Sequence, residues 1–334
     1  MRGEGRGEGQ VGAAIIERRV TTVNPHDSFD VVIVGGGVIG MACAEALSRD
    51  RKHKICIVEK DELGRAASWA GGGLLSPLPP DQCDDAIRPL LDESLTLYPE
   101  WCERLQRESG IDPEYWVCGA DYFKSNGEHI EYPQMAQVRN PRLMKALAQT
   151  LRRRGVSVFE HAAAAAWLRE GVRVRGVRTT RGDIAADAVI LAAGAWSAEL
   201  GADGIVPVKG QMLLLDARPG ALPRVRIGDD VYLIPRRDGQ VLIGSTLEDA
   251  GFDLTPTESA RHGLIERAAR LWPEAATLPL IRHWAGLRPR ADRDAPLLEA
   301  SAMHRGLYLA SGHFRLGITL APASAARMME LLRS

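Results

Sequence analysis

The stretch DVVIVGGGVIGMACAEAL, residues 30–47, decides the fold. Asp30 to Val34 is an apolar, β-branched run, the composition of a buried strand. Gly35, Gly36 and Gly37 end it, and Ile39, Cys43, Ala46 and Leu47 follow at helical spacing. The pattern Gly35-x-Gly37-x-x-Gly40 therefore lies on a strand-to-helix turn. Missing side chains there let the backbone turn tightly and approach a pyrophosphate, whose charge sits at the positive end of the helix. A second apolar run, Lys54 to Val58, ends at Glu59, about 20 residues on, where a carboxylate accepts hydrogen bonds from ribose hydroxyls and disfavours a 2′-phosphate. The glycines alone fit a plain tight connection equally well. Glycines, flanking elements and acid together predict a βαβ unit with a parallel sheet and a dinucleotide site, FAD or NAD rather than NADP.

Outward from this unit, Asn140 and Pro141 are read as N-cap and first residue of a helix with the stripe Leu143, Met144, Leu147 and Leu151, stopped by Gly155. Val156 to Phe159 and Ala188 to Ala192 are further strands. From Ile205 to Thr246 the pattern becomes antiparallel, with Val231 to Pro235 and Gln240 to Thr246 joined across Arg236-Arg237-Asp238-Gly239. Thr255, Pro256 and Glu258 match a capping box opening a helix with Leu264, Ile265, Ala268 and Leu271 on one face. Leu307 to Ala310 returns as a strand, Gly312 to Gly317 is a loop, and Pro322 to Leu332 is a helix.

The 334 residues suffice for one large domain or two interlocked ones. A formal charge of −1 gives no long-range field for nucleic acid or an anionic membrane, so a small-molecule partner fits better. Five cysteines, Cys43, Cys56, Cys83, Cys102 and Cys118, show no CxxC spacing and read as reduced thiols in a cytoplasmic protein. Residues 1–28 carry a Gly/Glu/Arg bias and no apolar core of a secretory signal, and are expected to be a disordered tail. No stretch approaches the length of a membrane span. The eight histidines form no HExxH pattern and no Cys/His ligand spacing, so no metal site is expected, and no GxSxG elbow is present.

Two more loops bear on the cofactor. Residues 65–73, RAASWAGGG, follow the second strand, where backbone can lie against a flavin's ribityl chain and ring edge; a mobile surface loop is the plain alternative. Residues 311–317, SGHFRLG, lead into the last helix, whose N-terminus could stabilise negative charge on a reduced flavin. With these loops the chain resembles the D-amino-acid oxidase superfamily of FAD enzymes, most of all its thiamine-pathway glycine oxidases. The matching segments include VVIVGGGVIGMACA, IVEK, GRAASWAGGGLL, NPRLMKALA, AVILAAGAWS, VPVKGQML, VYLIPRRDGQVLIGST, GLRP and GHFRLGITLAPASA, running from residue 31 to 326.

The resemblance implies an α/β (α+β) fold, a Rossmann-like FAD-binding domain (29–80, 135–204 and 285–334) interleaved with an antiparallel-sheet substrate domain (81–134 and 205–284). It implies FAD contacts from Gly35, Gly37, Val38, Ile39, Gly40, Glu59, Lys60, Ala66, Ala67, Gly71, Gly72, Gly73 and Gly194, from Ala164 through its backbone, and from His313, Phe314, Arg315, Leu316, Gly317, Ile318 and Thr319 along the ring. His313 is otherwise read as structural. Arg288 matches the arginine that holds a substrate carboxylate, Arg315 a second substrate-side arginine and Tyr232 the tyrosine beside the substrate, and these three form the catalytic set. Composition alone reads Arg288 as a surface arginine and Tyr232 as a packing residue. Leu316 departs from the family, which usually has Asn there, and Asp230 stands where relatives vary. No cysteine follows Cys118, so FAD is expected to be noncovalent. The expected partners are glycine or another small amino acid and oxygen or another electron acceptor, with homo-oligomer formation open. A D-amino-acid, D-hydroxyproline or sarcosine dehydrogenase, an NAD-dependent dehydrogenase, and a non-catalytic or RNA-modification flavoprotein domain remain the alternatives.

Overall fold

The computed structural model describes residues 28–334. Strands β1 (Ser28–Val34) and β2 (Ile55–Val58) are parallel, with helix α1 (Val38–Leu47) crossing between them, which is the predicted βαβ unit. β1 starts at Ser28, paired with Ala185, so this residue belongs to the sheet and not to the tail; the rest of the tail expectation lies outside the described residues. Val31 and Ile33 face one core while Phe29, Val32 and Val34 face the other, which is why the strand is apolar throughout. All ten residues of α1 are buried, Glu45 among them. Burial alone would push the Glu45 carboxyl up. The hydrogen bond and charge of Arg49, joined by Arg104 and Arg154 at 3.3 and 3.1 Å, hold it below the ordinary range instead.

The chain continues through α2 (Ala67–Ala70), α3 (Arg88–Ser109), β3 (Trp116–Val117), β4 (Ala120–Phe123), β5 (His129–Tyr132), β6 (Ala136–Gln137), α4 (Asn140–Arg153), β7 (Ser157–Phe159), β8 (Ala164–Glu170), β9 (Arg173–Thr179) and β10 (Gly182–Leu191). Then come β11 (Val206–Leu215), β12 (Val225–Ile227), β13 (Tyr232–Pro235), β14 (Val241–Gly244), α5 (Glu258–Leu271), β15 (Leu280–Arg290), β16 (Leu297–Ala300), β17 (Leu307–Ser311) and α6 (Gly317–Arg333). One sheet has eight strands along β16-β17-β10-β1-β2-β7, parallel from β17 to β7, with β9 and β8 added from β10. The other has seven, β15-β11-β14-β13-β12-β4-β5, antiparallel except for β12 with β4. This is the mixed α/β architecture the sequence implied. We propose a division into two units along these sheets, with the join set after Arg290, because β15 runs unbroken through residues 284 and 285.

Three helix starts differ from expectation. Thr257, not Thr255, caps α5: its side chain accepts from the Ala260 N–H, while the Thr255 carbonyl accepts from the buried Lys209 Nζ at 2.7 Å and leaves Pro256 outside the helix. Asn140 is the first helical residue of α4 rather than its cap, and its side chain turns to donate to Ser68 O at 2.8 Å. α6 starts at Gly317, five residues before Pro322. Proline cannot donate to Ile318 O, so that carbonyl would be orphaned inside a helix. The Tyr98 hydroxyl donates to it at 2.5 Å, and Ser94 Oγ donates to Thr319 O at 2.7 Å, so α3 repairs the break. The repair lets α6 extend its N-terminus toward the cavity described below.

The five cysteines are unbridged. Among the described residues, no helix is long and apolar enough to cross a membrane, and no group of three or more His, Cys, Asp or Glu side chains is placed to hold a metal ion.

Candidate active site

A cavity of about 680 Å³ lies between the two sheets, within the range of cofactor sites. At one end is the glycine turn. Gly35 has φ +113°, and a Cβ there would stand 2.2 Å from Ala192 O, so only glycine permits β1 to end against β10. A Cβ on Gly40 would stand 1.9 Å from Gly35 O, so this glycine sets the closeness of α1 to β1. Gly37 caps α1 without a side chain, and a Cβ there would meet only Ser68 Oγ, at 3.3 Å, so a side chain would project into the cradle. Ser68 Oγ also accepts from the Val38 N–H at 2.9 Å. Glu59 is pinned by two backbone donors, Gly36 N–H at 2.7 Å and Asp61 N–H at 2.9 Å. Burial pushes its carboxyl up, opposed by these two bonds. Lys60 Nζ lies 3.5 Å over the Trp196 ring at the same end.

Along the cavity the 66–73 loop is clamped from several sides. Trp284 Nε1 on β15 donates to Ala70 O at 3.0 Å, and Gly286 lets α2 approach, since a Cβ there would be 2.6 Å from that of Ala70. Gly73, at φ +77°, would place a Cβ 2.2 Å from Val138 O. Opposite, residues 312–318 lead into α6, whose N-cap Leu316 offers no capping side chain. Gly317 and Ile318 of its first turn line the cavity. His313 Nε2 is 2.9 Å from Ser324 Oγ, and full burial pushes the imidazole down to about 3, so it is neutral at physiological pH. Phe314 takes φ +47°, a conformation uncommon for a side-chain-bearing residue, and its N–H donates to Pro289 O at 2.7 Å. These contacts fix the loop onto β15.

At the other end are Tyr232, Arg288 and Arg315. The Tyr232 ring covers Gly244, its cross-strand partner on β14, where a Cβ would fall 2.6 Å from the hydroxyl. Arg288 lies across β11 over Gly210, where a Cβ would fall 2.0 Å from Nη1. Its Nη1 donates to Thr246 O at 3.2 Å and its Nη2 to Ser245 Oγ at 2.7 Å. Arg315 Nη1 donates to Leu78 O at 3.0 Å. Burial, then the Arg288 charge, lower the Arg315 guanidinium, while Tyr232 raises it, so the three groups share one field. Among the described residues, neither guanidinium has a carboxylate partner.

Of the residues singled out from sequence, Gly35, Gly37, Val38, Ile39, Glu59, Lys60, Ala66, Ala67, Gly71, Gly72, Gly73, Ala164, Gly194, Tyr232, Arg288, His313, Phe314, Arg315, Gly317 and Ile318 line this cavity. Gly40, Leu316 and Thr319 do not. Gly40 is used in packing, Leu316 is the N-cap residue of α6, and the Thr319 hydroxyl is buried on Leu74 O at 3.1 Å. Sequence reading missed Ser68, whose role arises from the start of α1 packed beside it, Gly210, Ser245 and Thr246, whose roles arise from strand neighbours, and Arg236, which grips the 72–73 turn from behind. Gly36 was also passed over, although a Cβ there would overlap Leu63.

The fit to FAD is favourable: two helix N-termini, a Cβ-free cradle, a pinned carboxylate and a long cavity converge. A family model described as DAO, FAD-dependent oxidoreductase, matches residues 30–128 and 122–331. A glycine oxidase from Pseudomonas aeruginosa is 39% identical over 90% of this chain and 94% of its own length. A bifunctional ThiO/ThiG protein from Trichormus variabilis is 33% identical over 91% of this chain and 52% of its own length. The crystal structure of a glycine oxidase from Geobacillus kaustophilus superposes with a TM-score of 0.86 at 28% identity, covering 92% of this chain and 95% of that one. The chain belongs to the DAO family of FAD-dependent oxidoreductases.

Proposed function

We propose that the protein oxidises glycine or another small amino acid, such as sarcosine or a small D-amino acid, at the carbon–nitrogen bond. The observation that carries this reading is the pair of guanidinium groups, Arg288 and Arg315, facing the ring end of one cavity without a carboxylate of their own. An amino-acid carboxylate supplies the missing partner. The glycine oxidase relatives support the substrate class, and the ThiO/ThiG relatives support a role of the imine product in thiazole formation for thiamine.

FAD, held noncovalently by the glycine turn, the 66–73 loop and the start of α6, would supply a two-electron acceptor for the α-hydride, with oxygen or another acceptor taking the electrons on. Arg288 takes the carboxylate in a two-pronged grip, already oriented by Ser245 and Thr246, so little ordering is left for the moment of binding. Tyr232 and Arg315 set the rotation of the substrate about that grip. Met212, Ile234 and Leu247 line the same cavity and restrict the side chain. The ammonium must lose its proton before hydride departure, and solvent suffices for this step, so no strong base is required. The imino acid released then hydrolyses to a 2-oxo acid and ammonia or an amine.

Anaerobic bleaching of the purified yellow protein by glycine, sarcosine, D-alanine and D-proline tests the reading. Bleaching by at least one of them is expected; a flavin that none of them reduces would overturn it. Reoxidation of the bleached protein by oxygen and by a quinone then separates an oxidase from a dehydrogenase.

A further inference from the structure

Arg236 follows β13, and the residue is 6% exposed. Nη1 donates to Gln137 Oε1 at 2.6 Å and Val138 O at 3.1 Å, and Nη2 donates to Gly72 O at 2.8 Å. Gln137 cannot turn its amide around without loss, because Nε2 donates to Pro235 O at 3.0 Å. All three acceptors are neutral. The carboxylates that act on Arg236 through space, Glu114 and Asp238, pair with Arg139 at 3.6 and 2.7 Å. A buried cation without a paired anion is costly, and a neutral donor could have satisfied these carbonyls. The Gly72 carbonyl it grips belongs to the cavity wall, beside Tyr232.

We propose that Arg236 is a positioning residue that locks the Gly72–Gly73 turn against the flavin and, through its uncompensated charge, favours the reduced, negatively charged flavin. This rests on the reading that residues 71–73 lie against FAD. Peptide planarity turns the Gly73 N–H to the side opposite the guanidinium, so gripping Gly72 O also orients that donor. Burial, followed by the Arg139 charge, lowers the guanidinium to about 10, which leaves it protonated at neutral pH.

The test is the midpoint potential of bound FAD, measured by dye equilibration in the wild type, Arg236→Lys, Arg236→Gln and Arg236→Met. In the two neutral variants the oxidised form should gain about tenfold, a potential about 30 mV lower for a two-electron couple. Arg236→Lys should hold the potential within about threefold while weakening FAD affinity, since the fork is lost. Should the neutral variants fail to retain FAD, Gln137→Glu decides, because it places a counter-charge against Arg236 in a side chain of the same shape, losing only the amide bond to Pro235 O, and should lower the potential in the same direction. Unshifted potentials in yellow, folded variants would reduce Arg236 to a packing role and overturn the proposal. A wild-type protein that takes up no FAD is a different result, and would remove the proposed function beneath it.

Discussion

At the proposed pyrophosphate end of the cavity the geometry is made by backbone, and at the proposed substrate end by side chains reaching across strands. Gly35, Gly40 and Glu59 sit within one βαβ unit, and each is fixed by backbone atoms: Ala192 O, Gly35 O and the N–H groups of Gly36 and Asp61. Tyr232, Arg288 and Arg315 come from β13, β15 and the loop before α6, and rest on groups such as Ser245 Oγ and Leu78 O. The first kind of site fails by losing the fold or the cofactor. The second fails by losing affinity while the protein stays intact.

Gly35→Ala is the hardest test of that contrast. The methyl group would overlap Ala192 O while the backbone stays at φ +113°, and strain plus overpacking cost about 3–5 kcal/mol together. The expected outcome is protein that is poorly soluble or colourless, read from the visible flavin spectrum and the thermal midpoint. Arg288→Ala should leave both unchanged and lower kcat/KM for glycine by about 10- to 100-fold, the loss of a charge-assisted pair of about 1.5–3 kcal/mol. Arg288→Lys should recover only part of it, because the fork is gone. Loss of the flavin spectrum in Arg288→Ala would break the contrast, for it would make the arginine part of the cofactor cradle.

Gly210→Ala sharpens the comparison, because it asks whether the substrate end also hides a backbone requirement. The added methyl would come within 2.0 Å of Arg288 Nη1, but here the obstructing atom is the end of a flexible side chain. Arg288 can lift away from Ser245, so the expected result is a raised KM for glycine, smaller than in Arg288→Ala, with flavin content and thermal midpoint close to wild type. A protein as damaged as Gly35→Ala would show that the two ends are held alike.

The same contrast explains what could be read from sequence. Residues 30–59 announce strand, turn, helix and acid because each signal is local. Tyr232, Arg288 and Arg315 carried no local signal and were named only through resemblance; their meaning depends on Gly244, Gly210, Ser245 and Leu78, which strand pairing and loop packing bring near. Arg236 in Arg236-Arg237-Asp238-Gly239 looks like a solvated hairpin turn, although its neighbour Arg237 is exposed and Arg236 is buried. α3 was passed over, although Leu91, Leu95, Tyr98, Cys102 and Leu105 keep a helical spacing, because Pro99 and a run of charges obscure it. The early start of α6 depends on Tyr98 and Ser94, which no reading of residues 311–322 could supply.

The smallest effect concerns the 311–317 loop that touches both ends. His313 is buried and pushed down to about 3, so between the ordinary histidine pKa of about 6.5 and 3 the unfolded chain binds a proton that the folded one refuses. Stability must therefore fall as pH drops below about 6.5, by about 1 kcal/mol per unit from this group, with His283, lowered mainly by burial, adding in the same direction. Glu45 joins only below the ordinary glutamate range, since its folded pKa is depressed and its contribution disappears as the carboxyl protonates. Thermal midpoints measured from pH 7 to 5 should decline, and His313→Asn, which leaves His283 in place, should have a shallower slope even if its midpoint at pH 7 is lower. Parallel slopes for the two proteins would show that His313 takes up its proton in the folded state, and that the loop linking the two ends opens more readily than its buried hydrogen bond to Ser324 implies.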